Sequence, residues 1–273
     1  MERARIDGIE LEIEVRGAGE PVLLVHGNYL ADAFAPLLRE PALADRYRLI
    51  RYRRVGHGGS SHRAGPVDIA QQAAHGRGIL RHVGAPRAHV VGHSYGGVIA
   101  LQLALDAPEA VHSLALLEPA LFEVPSAGPF LQTLGPAFGM YAAGDAAGAL
   151  DLLQRAWFGP EYRRVLAPAL PPGAFEQAVA DADTFFRVEV PAHQAWRFTR
   201  EDAARITQPV LAVRSADGLP LFGEVSALLQ DWLPQTEALV LPNATHALQL
   251  QNPRGMAEGL VGFFARHPFP ATT

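Results

Sequence analysis

Gly92-His93-Ser94-Tyr95-Gly96 is the stretch on which the reading of this chain turns. It follows a short apolar run, Ala88-His89-Val90-Val91, and precedes a helix-like segment from Gly97 to Ala107. Strand, G-x-S-x-G, helix is the setting in which a serine sits on a tight, strained turn with its hydroxyl exposed at the edge of a sheet. Glycines two before and two after the serine are needed where neighbouring backbones come too close for a Cβ. The five-residue pattern alone also fits a Gly-rich turn with an idle serine. The flanking strand and helix, and the partners supplied later in the chain, favour a nucleophile.

Outward from that turn, strands and helices alternate. Ile9 to Val15 alternates apolar and polar residues, as a strand with one wet face near a sheet edge does. Val22-Leu23-Leu24-Val25 is continuously apolar, as a central strand buried on both faces should be. Tyr47 to Tyr52 reads as a further parallel strand, and Val67 to Val83 as a helix begun near Asp68 and ended by Gly84-Ala85-Pro86. Val111 to Leu117 is the strand after the serine helix. Strand Val210 to Val213, a helix near Glu224 to Trp232, strand Ala238 to Leu241 and a helix from Pro253 to about His267 complete the pattern. The fold class expected is α/β, a mostly parallel sheet flanked by helices, with sites at the carboxyl ends of the strands.

Residues 122–205 differ in character and read as a helical cap or lid inserted into a core of residues 1–121 and 206–273. The segment is broken at Pro125, Pro129, Pro136, Gly159-Pro160 and Pro171-Pro172-Gly173. It holds Trp157 and Trp196 with Tyr141, Tyr162, Phe185, Phe186 and Phe198. Most of these aromatics should form the insertion's own small core. Tyr29, Trp157 and Trp196 are the residues expected to line a mostly apolar substrate pocket beneath it.

Composition excludes several classes of function. The 273 residues are 49% hydrophobic, enough for a sizeable core, and contain no cysteine, which removes thiol nucleophiles, disulfides and thiolate metal sites. With 23 basic and 28 acidic residues the net charge is −5, so there is no basic footprint for nucleic acid. The local cluster Arg46 to Arg54 is expected to be a solvated loop and strand edge. No run approaches the roughly 18 apolar residues of a membrane span. The N-terminus has no apolar signal core, so a soluble, cytoplasmic protein is expected. Neither H-E-x-x-H, a Walker loop nor a three-glycine dinucleotide fingerprint is present, and no metal or organic cofactor is expected. Oligomeric state is not readable.

A serine becomes a nucleophile when a base takes its proton and a third group holds that base in one tautomer. His246, in the loop after the last strand, combines a late position with the order serine, acid, histidine; a histidine that merely caps the final helix is the alternative. An oxyanion hole needs backbone N–H groups aimed at the developing charge. The Tyr95 amide follows the serine directly. The second amide falls in His26-Gly27-Asn28-Tyr29, with Asn28 preferred over Tyr29. Two residues compete for the acid. Asp217 follows strand Val210 to Val213 but lies in an Asp-Gly pair common in ordinary turns. Glu118 ends an apolar strand at the carboxyl edge, with Pro119 expected to hold it extended, and is favoured; its alternative role is a structural one against insertion backbone.

Taken together, the His26-Gly27 turn, Gly92-His93-Ser94-Tyr95-Gly96-Gly97 and Thr245-His246 resemble the α/β-hydrolase superfamily over the whole chain except the insertion. Where that superfamily usually carries an aspartate in Asp-x-x-Gly-x-Gly-x-Ser, this chain reads Arg53-Arg54-Val55-Gly56-His57-Gly58-Gly59-Ser60. By the same resemblance Asp217 stands one position early; the family's acid position is held here by Gly218. Glu118 matches a subset including zearalenone-type lactonases and haloalkane dehalogenases, whose acid sits after this strand; Ser94 sets the dehalogenases aside. The resemblance implies a cofactor-independent serine hydrolase acting on a small apolar ester or lactone. Carbon–carbon bond hydrolysis of a β-diketone-like substrate shares the constellation. A ligand-binding protein on the same scaffold is the alternative of a different class.

Overall fold

A computed structural model describes residues 1–63 and 65–270. Eight strands form one sheet: β1 (Glu2–Ile6), β2 (Ile9–Arg16), β3 (Glu20–Val25), β4 (Tyr47–Tyr52), β5 (Ala88–His93), β6 (Val111–Leu117), β7 (Val210–Ser215) and β8 (Thr236–Leu241). Their spatial order is β1-β2-β4-β3-β5-β6-β7-β8. β1 and β2 pair antiparallel, as do β2 and β4, and every later pairing is parallel.

The α/β architecture follows from the strand sequences. In β3 the side chains of Leu23 and Val25 pack on one face of the sheet, and those of Val22 and Leu24 on the other. Each face is covered by its own apolar layer, which is why β3 is apolar from Val22 to Val25. The Ile69–His82 and Tyr95–Asp106 helices pack on the first layer, and the Pro253–Arg266 helix on the second. Asp68 starts the Ile69–His82 helix with a full capping box, its side chain accepting from the Gln71 amide at 2.7 Å.

Two sequence expectations need correction here. β1 lies outside the reading that began at Ile9, although its signal is present: Asp7-Gly8, both at positive φ (47° and 84°), close a two-residue hairpin that pairs Ile6 with Ile9. The arginine-rich stretch is not a solvated edge. It is β4, inside the sheet, and the segment leaving it; Arg51, Arg53 and Arg54 are buried or half-buried against carboxylates, while Arg46 stays exposed. Arg51 meets Asp32 at 2.6 Å, and Arg53 meets Glu12 at 2.8 Å and Asp32 at 2.7 Å.

Between β6 and β7 the chain forms a run of helices, of which Ala146–Phe158 is the longest, with an apolar cluster of its own that extends to Tyr29 and Leu30. The strand order reverses on either side of β3, the place where sheets of this kind open a crevice at their carboxyl ends. Among the described residues no helix is long and apolar enough to cross a membrane.

Candidate active site

Ser94 has φ 53° and ψ −119°, a conformation that a non-glycine residue adopts only where its surroundings impose it. They do so on three sides. The Ser94 amide donates to the Leu117 carbonyl at 3.0 Å, and its carbonyl accepts from Gly97 at 2.9 Å and Ala120 at 3.1 Å. A Cβ on Gly96 would lie 2.1 Å from the Val25 carbonyl oxygen, and one on Gly92 would lie 2.4 Å from the Gly96 carbonyl oxygen. The two glycines let β3, β5 and the following helix converge on the serine.

His246 lies past β8, buried, with Nδ1 2.7 Å from Glu118 Oε2. The other carboxylate oxygen of Glu118 accepts from the Ser215 amide at 2.7 Å and the Ser215 hydroxyl at 2.5 Å. A carboxylate can only accept, so Nδ1 of His246 carries the proton of that bond, and in the neutral imidazole Nε2 is then the acceptor. Phe222 stacks on the imidazole at 4.5 Å between ring centres, with the planes 6° apart. His93 donates from Nε2 to the His246 carbonyl at 2.8 Å and so ties the histidine loop to the serine turn. Burial, then the neighbouring His246, pushes His93 down to about 3, which keeps it neutral.

Of the two candidate acids, the structure brings Glu118 to the histidine. Asp217 is exposed, and its amide donates to the Ala244 carbonyl at 3.1 Å. The extended conformation expected of Glu118 before Pro119 is wrong: its φ is 42°. Its amide continues the β6–β7 ladder by donating to Val213 at 2.9 Å, and two residues later Ala120 already reaches back to Ser94. That reversal requires the left-handed region.

The His26-Gly27-Asn28 loop passes directly against the serine; a Cβ on Gly27 would lie 3.1 Å from Ser94 Cβ. The amide of Tyr95 opens a helix, where no intrahelical acceptor exists. Tyr29 turns the chain with φ 64° and lets Leu30 donate to the Asn28 carbonyl at 2.8 Å. Among the described residues the Asn28 amide has no acceptor.

Ser94 and His246 open onto a cavity of about 250 Å³ that also touches Asn28, Tyr29 and Trp157. Trp196 does not line it: its indole N–H donates to Gln102 at 2.7 Å and its ring stacks on Phe198. Phe122, Phe158, Phe185 and His193 do line it, and the sequence marks none of them apart from other aromatic residues of the insertion. His193 donates to the Ala120 carbonyl at 2.8 Å, and burial lowers its pKa, so it too is neutral. Among the described residues the lining contains no Asp, Glu, Lys or Arg.

Comparison with known proteins agrees with this fold. The α/β hydrolase fold family matches residues 20–253, and the chain belongs to that family. A dihydrolipoyllysine-residue acetyltransferase component of an acetoin cleaving system from Cupriavidus necator is 41% identical over 120 residues, covering 44% of this chain and only 32% of that protein. A Variovorax paradoxus protein provisionally named carbamate hydrolase RutD is 30% identical over 95% of this chain and 98% of its own length. Among solved structures, a thermophilic esterase from Thermogutta terrifontis superposes with a TM-score of 0.79 at 20% identity, covering 98% of this chain and 100% of the esterase, a likeness of fold alone.

Proposed function

We propose that the protein is a serine hydrolase that cleaves an uncharged, apolar carboxylic ester or lactone through an acyl-enzyme. The observation that carries this reading is the arrangement at one end of one cavity: a serine on a strained turn, and a histidine whose Nδ1 is bound to a buried carboxylate. The Ser94 hydroxyl attacks the acyl carbon while His246 Nε2 takes its proton. Glu118 stabilises the imidazolium so formed. The Asn28 and Tyr95 amides receive the oxyanion. His246 then protonates the departing alkoxide, and on the return half activates water against the acyl group.

The absence of formal charge from the lining supports a neutral substrate, because a carboxylate buried there would have no cationic partner. Hydrolysis at an acyl carbon is in keeping with the carbamate named for the Variovorax relative and the ester named for the Thermogutta structure. The lean towards lactones rests on the placement of Glu118 in the superfamily subset named above, and an enol-lactonase from Burkholderia xenovorans is among the similar folds, with a TM-score of 0.76 at 21% identity, over 97% of this chain and 100% of that one.

Labelling with a fluorophosphonate probe, alongside p-nitrophenyl ester turnover, tests the reading. The parent should label at Ser94 and lose both activities in Ser94→Ala and His246→Ala. A folded parent that neither labels nor turns over esters would favour a ligand-binding protein, and turnover confined to β-diketones would favour carbon–carbon bond hydrolysis.

A further inference from the structure

Arg54 is buried to 1% exposure directly behind the loop that carries the Asn28 amide. Its guanidinium donates from Nε to the His26 carbonyl at 3.1 Å and from Nη2 to the Gly27 carbonyl at 2.9 Å. Its own amide donates to His26 Nε2 at 3.0 Å, so His26 carries its proton on Nδ1 and donates it to the same Gly27 carbonyl at 2.7 Å. Two donors thus hold one carbonyl. The Gly27–Asn28 peptide is trans, and in a planar trans peptide the C=O and the N–H point in opposite directions. Pinning the oxygen on the Arg54 side turns the Asn28 N–H the other way. A flipped peptide would present a carbonyl oxygen where the oxyanion must form.

The same guanidinium reaches the second amide's residue. Nη1 donates to Gln72 Oε1 at 2.6 Å, Gln72 Nε2 donates to the Tyr95 hydroxyl at 3.0 Å, and the guanidinium carbon lies 4.9 Å from the centre of the Tyr95 ring. Its counter-ion comes from the β6–β7 insertion. Glu189, also 1% exposed, ends a π-helical turn from Thr184 and places Oε1 2.5 Å from Arg54 Nη2 and 2.9 Å from His57 Nε2. Its Oε2 accepts from the Asn28 side chain. Burial alone would raise the Glu189 pKa; Arg54, then His57 and Asn28, hold it at about 2.

Resting on the serine-hydrolase reading, we propose that Arg54 is a positioning residue for the oxyanion hole and that Glu189 of the insertion completes it, so that the hole is assembled only with the insertion seated. The buried pair costs desolvation, and stability alone does not call for it. What it does is fix a peptide plane and the loop's side chain at once.

The test compares a p-nitrophenyl ester with its thionoester in the full-length parent and in Arg54→Met, Arg54→Lys and Glu189→Gln. Sulfur accepts N–H hydrogen bonds poorly, so the ester-to-thionoester ratio of kcat/KM reports the oxyanion hole. Because it is a ratio within one sample, it does not depend on the folded fraction. Arg54→Met should lower ester kcat by about 10²-fold, as loss of one oxyanion donor does, and the ratio by about tenfold or more, with KM little changed. Arg54→Lys, which lacks the fork, should not restore the ratio, and Glu189→Gln should lower it by a smaller factor. An Arg54→Met ratio within about twofold of the parent overturns the inference while leaving the serine-hydrolase reading intact. A parent without Ser94-dependent ester turnover overturns both.

Discussion

Glu118→Gln is the substitution in which the hydrogen-bond geometry dictates the outcome. One carboxylate oxygen faces two donors on Ser215, at 2.7 Å and 2.5 Å, while the other faces His246 Nδ1 at 2.7 Å. Glutamine has the same shape but only one oxygen. The Ser215 backbone N–H can only donate, so the amide oxygen must take that side and the NH₂ must face His246. Turning the amide over would leave the buried Ser215 N–H opposite another donor, at about 1–3 kcal/mol. With an NH₂ group against it, His246 must present a bare Nδ1, and its proton moves to Nε2. The base can then no longer accept from Ser94. A mis-set tautomer in a serine triad costs about 10⁴-fold in kcat, or about 5.5 kcal/mol of transition-state stabilisation. KM should change little, because Glu118 lies behind the imidazole and does not line the cavity. Steady-state turnover of a p-nitrophenyl ester, with circular dichroism as the check on folding, measures this directly. Retention of more than about a tenth of parental kcat in Glu118→Gln would refute the reasoning, as would a greater loss in the exposed Asp217→Asn.

Gly96→Ala should destabilise the fold by about 2–3 kcal/mol or more, because the new methyl meets the Val25 and His26 carbonyl oxygens at 2.1 Å and 2.6 Å and neither is a side chain that can turn aside; a parental urea midpoint would contradict this. His93, with a folded pKa of about 3 against 6.5 unfolded, contributes stability that is fully present above about pH 6.5 and is lost as the pH falls towards 3. Replacing it with Gln, which can still donate to the His246 carbonyl, should flatten the decline of unfolding free energy between about pH 6 and 4 by up to ~1.4 kcal/mol per pH unit; an unchanged slope would argue against a neutral His93. An uncharged p-nitrophenyl butyrate should be preferred over the mono-p-nitrophenyl ester of succinate by about 10²-fold or more in kcat/KM, since the cavity offers a carboxylate no cation. Comparable rates on the two would show that the substrate's charge is met elsewhere.

What could be read in advance was what a few consecutive residues determine. The serine turn is legible because its glycines, strand and helix are adjacent, and β6 because Leu114 to Leu117 is continuously apolar up to Glu118. Arg54, Glu189 and Ser215 were not, because each acquires its meaning from a partner brought near only by the fold: Glu189 is paired with Arg54 across the sheet edge, and Ser215 with Glu118 between neighbouring strands. Trp196 shows the same limit from the other side. Its aromatic character suggested a pocket, but character does not say which way a ring faces, and this one turns towards Gln102 and Phe198.

The placement of Glu118 beside His246 has a counterpart in Gly218, the residue at the position where the superfamily pattern expects an acid. A Cβ there would lie 2.0 Å from the Ser215 hydroxyl oxygen and 3.4 Å from Glu118 Oε1. A side chain at position 218 would therefore meet the Ser215 hydroxyl, which is turned towards the Glu118 carboxylate. With Glu118 at the end of β6, β7 supplies the Ser215 amide and hydroxyl as donors to its carboxylate. Asp217 is then left at the surface, where the chain uses its amide to hold the Ala244 carbonyl at 3.1 Å, two residues before His246. The departure at Gly218 and the glutamate at the end of β6 are two sides of one arrangement.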